Sequence, residues 1–156
     1  MDRQMSGFQD GRMTMAKIPK ALHENINSAF PKNVCVVGTV QPDGWVQISP
    51  KGSTLVYDEE TIAYWDRGKG KTHDVVQDGT QVSVFYRNSE IREILPKGGI
   101  ARFYGTAKLY DEGPVREEVW ERMVQPERDR DPDKKGRAIL LKIERAEDLA
   151  GAPLET

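Results

Sequence analysis

The alternation of apolar and polar positions divides the chain into a leading helix, a series of strands and a second helix in the C-terminal third. From Pro19, apolar side chains recur at three- and four-residue steps (Ala21, Leu22, Ile26, Ala29, Phe30), which predicts an amphipathic helix that Pro31 stops. Beyond Pro31 the period falls to two. Val34–Val40 and Trp45–Ser49 flank Gln41-Pro42-Asp43-Gly44, and because Asp-Gly accepts the positive φ angles of tight turns, the two runs predict a β-hairpin. Leu55–Tyr57 and Thr61–Trp65 continue the meander around an Asp-Glu-Glu turn. Lys71–Gln77 reads as a short helix ended by Asp78-Gly79. Thr80–Tyr86 sets Val82, Val84 and Tyr86 against Gln81, Ser83 and Phe85, a strand with both faces at least partly covered.

Ile91–Gly99 is expected to be a loop, followed by the longest strand, Ile100–Tyr110, in which Gly105 predicts a bulge or a close backbone approach. Gly113-Pro114 opens a helix with Val115, Val119, Trp120 and Met123 on one stripe. Pro126–Gly136 is almost wholly charged and reads as a solvated loop, Arg137–Ile143 as the last strand, and the stretch after Leu149 as a frayed tail. Residues 1–14 carry five methionine or glycine positions without periodicity and read as a disordered leader, leaving one domain over 15–150 and a tail at 151–156. The fold class is mostly β: an antiparallel barrel of about six strands with peripheral helices.

Composition narrows the function. Twenty-three basic against 25 acidic residues give a formal charge of −2, so nothing global marks a nucleic-acid partner. The single cysteine, Cys35, lies in an apolar run and reads as a buried, inert thiol, and two histidines without Cys/His spacing make no metal motif. No apolar run reaches the ~20 residues of a membrane span, and no signal-peptide core is seen, so a cytoplasmic protein is expected.

The chemistry concentrates between Gly44 and Thr72. Arg67-Gly68-Lys69-Gly70-Lys71-Thr72 places three cations, two glycines and a hydroxyl just before a predicted helix start. Glycines admit backbone N–H groups close to an anion, and Arg and Lys add charge-assisted hydrogen bonds, so the segment is shaped for a phosphate. Gly70-Lys71-Thr72 also ends like a nucleotide-binding P-loop, but that pattern needs a glycine where Trp65 stands, and alternating β-α-β units are missing.

Val46-Gln47-Ile48-Ser49-Pro50-Lys51-Gly52, then Thr61–Trp65, then Arg67 to Thr72 leading into Asp74–Gly79, with the later Arg102-Phe103-Tyr104-Gly105-Thr106-Ala107, resembles the pyridoxamine 5′-phosphate oxidase-like, FMN-binding split-barrel family over about Lys17 to Asp148. The resemblance implies a six-stranded antiparallel split β-barrel that forms a homodimer, with FMN held in clefts between subunits. It implies that Gln47, Ile48 and Ser49 run beside the flavin ring with Lys51 on the following turn, and that Tyr64 and Trp65 lie near the ribityl chain. Arg67, Lys71 and Thr72 would grip the phosphate, and Arg102 would reach the cleft, from the partner subunit if not its own. The family's pyridoxamine phosphate oxidases end in a substrate-gripping segment with a Trp and an Arg, whereas this sequence reaches Ala152–Thr156 soon after its last strand, so a vitamin-B6 substrate is not carried over.

The resulting expectation is an FMN-dependent oxidoreductase acting on an unidentified small molecule. The alternatives are a non-catalytic flavin or haem protein, serving as sensor or carrier, and a reductase using the deazaflavin F420. No acid, base or nucleophile constellation is evident, and flavin chemistry does not require one because the cofactor itself carries the hydride.

Overall fold

The computed structural model of the chain describes residues 16–155, so the leader expected at 1–14 lies outside the described residues. Helix α1 (Lys20–Asn27) is followed by β1 (Cys35–Val40), β2 (Val46–Lys51), β3 (Leu55–Asp58) and β4 (Thr61–Asp66). Then come α2 (Gly70–Val75), β5 (Gln81–Arg87), β6 (Ile100–Tyr110), α3 (Pro114–Arg122), α4 (Gln125–Arg128) and β7 (Arg137–Glu147). All strands join one antiparallel sheet in the order β2-β1-β5-β6-β7-β4-β3.

That order forces the sheet to roll. β2 and β3 stand at its opposite ends yet are joined by residues 52–54 alone. In a flat sheet the ends would be six strand spacings apart, roughly 29 Å, whereas such a turn reaches at most about 14 Å. The sheet therefore curls into a half-barrel whose two edges meet at this turn. Ser53 fastens the meeting point: its hydroxyl accepts the Trp65 N–H at 2.9 Å on β4. The architecture is the expected mostly-β split barrel, with seven strands rather than about six.

The hydrophobic pattern follows from which faces are covered. Inside the curl, Val37, Val82, Val84, Tyr86, Phe103, Ile139, Leu141 and Ile143 form the main core, and α1 seals it with Leu22 and Ile26. Cys35 joins this core, where burial pushes its thiol pKa up to about 12. On the convex side, α3 packs Val119 and Met123 against Ala63, Trp65, Ala138 and Leu140. β4 and the middle of β7 are thus covered on both faces, which explains their unbroken apolar runs. β5 has only one covered face, contrary to the expectation for Thr80–Tyr86: Val82, Val84 and Tyr86 are buried, while Ser83 and Phe85 lie open. The pleat simply turns them outward.

Three other expectations are corrected. Residues 126–136 are not a uniformly solvated loop, because α4 extends into them and the Asp131 carboxylate is buried, accepting the Trp65 indole N–H at 2.8 Å. β7 runs on to Glu147 because β6 is long enough to pair with it throughout. The tail is docked: the Leu154 N–H donates to the Ala146 carbonyl and Pro153 bridges Glu147. Among the described residues no helix is long and apolar enough to cross a membrane.

Gly105 sits where the β6–β7 register shifts, as its position in the sequence predicted. A Cβ there would come within 2.7 Å of the Lys142 carbonyl oxygen, a backbone atom that cannot swing aside. Gly105→Ala is therefore expected to lower unfolding free energy by about 1–3 kcal/mol in denaturant titration. A variant as stable as the parent would show that the two strands separate without strain.

Candidate functional site

The seam of the half-barrel holds a polar cavity of about 190 Å³. Its walls are Ser49, Pro50 and Lys51 from the end of β2, Gly52 and Ser53 from the turn, Trp65 from β4, Arg67 and Lys69 from the next loop, and Glu127 and Arg130 from the α3–α4 arm. Four cations, two hydroxyl side chains and one carboxylate converge there. The Lys51 ammonium lies 5.4 Å from the centroid of the Tyr64 ring. Burial lowers the Lys51 pKa, the nearby carboxylates of Asp66 and Glu127 pull against that, and the positive charge of Arg67 adds to it. Burial also raises the Tyr64 phenol well above its ordinary value.

What holds Arg67 and Lys69 in place is Asp66, a residue that sequence reasoning passed over. Its buried carboxylate accepts the Gly68 N–H at 2.9 Å, the His73 Nδ1–H at 2.7 Å and the Arg137 Nε–H at 3.0 Å. One acid thus ties the loop, α2 and β7 together. Burial alone would raise its pKa, but the Gly68 amide, His73 and Arg137 outweigh this and hold it below the usual carboxylate value. The local signal was an aspartate two residues before a glycine, the pattern of an Asx turn, but its partner Arg137 lies on a distant strand. The second supporting acid, Asp131, accepts N–H groups from Trp65, Lys135 and Gly136 and so fixes the arm beside the pocket.

The sequence-predicted residues divide among several places. Ser49, Lys51, Trp65 and Arg67 meet at the seam pocket. Lys71 is exposed and Thr72 is buried on α2, and neither lines that pocket. α2 has only six residues, so the positive field at the seam comes from side chains more than from a helix dipole. Tyr64 and Trp65, adjacent on β4, face opposite sides: Tyr64 joins the inner core, whereas Trp65 packs on α3, its ring 5.0 Å from that of Trp120. Gln47 and Ser49 are half-buried on one face of β2, and Ile48 is exposed on the other.

Ile48 and Arg102 meet on that outer face. With Val36, Gly38, Ser83, Val84, Phe85 and Tyr104 they line a shallow, mainly apolar groove of about 480 Å³. Arg102 is held there by the Asp148 and Leu149 carbonyls at 3.3 and 3.2 Å and lies 3.6 Å from the Glu147 carboxylate. β2 is also an edge strand, paired on one side only with β1, so a line of its backbone N–H and C=O groups lies open beside the pocket.

A rolled, mostly β sheet whose two edges meet at a short turn, with a cation-lined pocket in that seam, defines a split barrel. Residues 18–150 match the sequence model of the pyridoxamine 5′-phosphate oxidase family, and the chain belongs to that family. No curated protein matches the sequence. Among solved structures, HupZ of Group A Streptococcus aligns with a TM-score of 0.63 at 23% identity, over 89% of this chain and 99% of its own. An FMN-binding protein from Syntrophomonas wolfei subsp. wolfei gives a TM-score of 0.59 at 17% identity, over 81% and 84%. An F420 reductase gives 0.52 at 13% identity, over 83% and 98%. At these identities the likeness is one of fold.

The Asp66 network generates a pH-dependent prediction. Asp66→Asn removes the charge that His73 and Arg137 answer, and is expected to reduce stability by about 2–4 kcal/mol at pH 7, the scale of lost charge-assisted bonds at a buried acid. Because the folded-state pKa lies below the unfolded one, the wild-type advantage is complete above the ordinary carboxylate range. It is lost as the pH falls below about 4 toward the folded value. Denaturant unfolding of both proteins between pH 7 and 3 checks this: a gap that stays constant would place the stabilisation elsewhere.

Proposed function

We propose that the protein binds FMN as a homodimer and uses it for redox chemistry on a small organic molecule. The observation that carries this reading is the convergence of Lys51, Arg67, Lys69 and Arg130 with the Ser49 and Ser53 hydroxyls on one pocket beside the open edge of β2, in a chain of this family. The donor set fits a phosphate: cations to neutralise it and the Ser49 hydroxyl to bond its oxygens, while the Ser53 hydroxyl is held by the Trp65 backbone. A volume near 190 Å³ admits a phosphate group but not a tricyclic ring, since whole-cofactor pockets run to roughly 300–1,000 Å³. The ring would therefore lie outside the pocket, and the backbone groups of β2 that point away from β1, at alternate residues, suit the hydrogen-bonding edge of a flavin.

Bound FMN would supply hydride and electron transfer. The chain's own residues would orient it and set its surroundings. Arg67 and Lys69, braced by Asp66, would hold the phosphate, and Lys51 would add positive charge where β2 meets the turn. Under this reading Lys71 and Thr72 support the loop more than they touch the phosphate. An absorption spectrum of the purified protein separates FMN from the F420 and haem alternatives, because the three have distinct bands.

Two measurements test the proposal. Arg67→Ala is expected to weaken FMN binding by about 1.5–3 kcal/mol and riboflavin binding much less, since riboflavin lacks the phosphate, with Lys71→Ala costing less than Arg67→Ala. Fluorescence titration gives the values, and equal losses for both ligands would remove the phosphate from this pocket. The dimer rests on the outer sheet face, where Val40, Trp45, Val46, Ile48 and Phe85 are exposed together, with Trp45 77% accessible. A partner on this face would also bring Ile48 and Arg102 to a shared cleft. Light scattering is expected to give a dimer for the parent and a monomer for Ile48→Glu with Phe85→Glu. A monomeric, FMN-loaded parent at micromolar concentration would overturn it.

A further inference from the structure

One wall of the seam pocket has the wrong charge for an anion site. Glu127, on the short α4, lines the pocket together with Lys51, Arg67, Lys69 and Arg130. Its carboxylate is inserted against the β2–β3 turn: a Cβ on Gly52 would lie 2.6 Å from Glu127 Oε2 and 3.0 Å from its Cδ. Glycine at 52 is thus what admits the carboxylate, since any side chain there would expel it or push against Phe30, whose Cδ2 would be 2.9 Å away. Among the described residues, no Lys or Arg nitrogen lies within 4.0 Å of this carboxylate, so it faces the cations without being neutralised by one of them. It still acts on Lys51, where it adds to the larger effect of Asp66 in opposing the lowering of the pKa by burial.

The arm that delivers Glu127 is firmly anchored. The Arg122 guanidinium donates to the Val56 and Tyr57 carbonyls at 2.7 and 3.0 Å, and the Asp131 carboxylate accepts from Trp65. The carboxylate is therefore a built part of the pocket, held by a segment fastened to β3 and β4 on either side.

We propose that Glu127 is the pocket's resident counter-ion: it offsets the repulsion among Lys51, Arg67, Lys69 and Arg130 while the pocket is free of ligand, and an incoming phosphate must work against it. Glu127 is then a specificity-determining residue. It stabilises the ligand-free protein and weakens affinity for phosphorylated ligands in proportion to their negative charge, so that the pocket holds a phosphate reversibly. The inference rests on the reading of this pocket as a phosphate site.

Three proteins, the parent, Glu127→Gln and Glu127→Asp, are titrated calorimetrically with inorganic phosphate, FMN and riboflavin at low salt. Glu127→Gln is expected to bind inorganic phosphate and FMN about 5- to 10-fold tighter than the parent, with riboflavin unchanged, Glu127→Asp in between, and the gain shrinking as salt screens the charges. In thermal melts, a reversal of order on ligand saturation is the readout that a purely structural role would not give. The Gln variant should melt below the parent without ligand and above it when saturated with phosphate. Unchanged or weaker phosphate and FMN binding by Glu127→Gln, in a variant with the parent's circular dichroism, overturns the proposal. It would make Glu127 a positioning residue for Lys51, or a bystander. The FMN reading fails on a different result, namely a parent that binds FMN no tighter than riboflavin.

Discussion

The three residues between β2 and β3 constrain the structure more than any hydrophobic contact does. They join strands that stand at opposite ends of a seven-stranded sheet, and a connection that short cannot cross a flat one. The sheet must roll until its edges meet, and three consequences follow. The inner face becomes a closed core that α1 can seal, β2 keeps an unpaired backbone edge, and the residues of the turn are set beside the end of β4. The seam pocket is the place where these consequences coincide.

Electrostatics then decides what the seam holds. Cations gathered in a small volume repel one another, and a cluster of this kind persists only if acids nearby hold it. Asp66 does this from beneath by binding Gly68, His73 and Arg137, and Asp131 does it from the arm through Trp65 and the backbone of Lys135 and Gly136. Both acids are buried and both have pKa values held low by the groups they bind, so their charge is a standing part of the structure. The same carboxylates that order the loop leave Arg67 and Lys69 exposed at the pocket wall.

The two faces of the sheet carry different work. The concave face is filled by aliphatic and aromatic side chains, whereas the convex face is covered by α3 only over β4 and β7. Over β2, β1 and β5 it remains open and apolar, with Ile48 and Phe85 prominent. The period-two pattern of each strand requires this separation, since one set of side chains enters the core and the other must face helix, solvent or partner. Arg102 marks the border, lining the open groove on one side and bonded to the chain's C-terminal turn on the other.

Much of this was legible in the sequence, because strand periodicity, Pro and Gly punctuation and the Asp43-Gly44 turn act over a few residues and report their own local geometry. The strand positions and the bulge at Gly105 emerged that way, as did a cationic segment at 67–72, while the family was legible only as a resemblance carried by the order of the motifs. What the sequence left undetermined is which cations meet. Neighbours on a strand point to opposite faces, so Tyr64 and Trp65 part company, and Lys71 leaves the pocket that Lys69 lines. Glu127 and Arg130 join the site from a segment far along the chain whose charged composition looked like plain solvation, and Arg137 reaches Asp66 from the last strand. Local pattern determines where a side chain points along its own element. Only the rolling of the whole sheet, a non-local closure, determines which side chains from different elements share a volume.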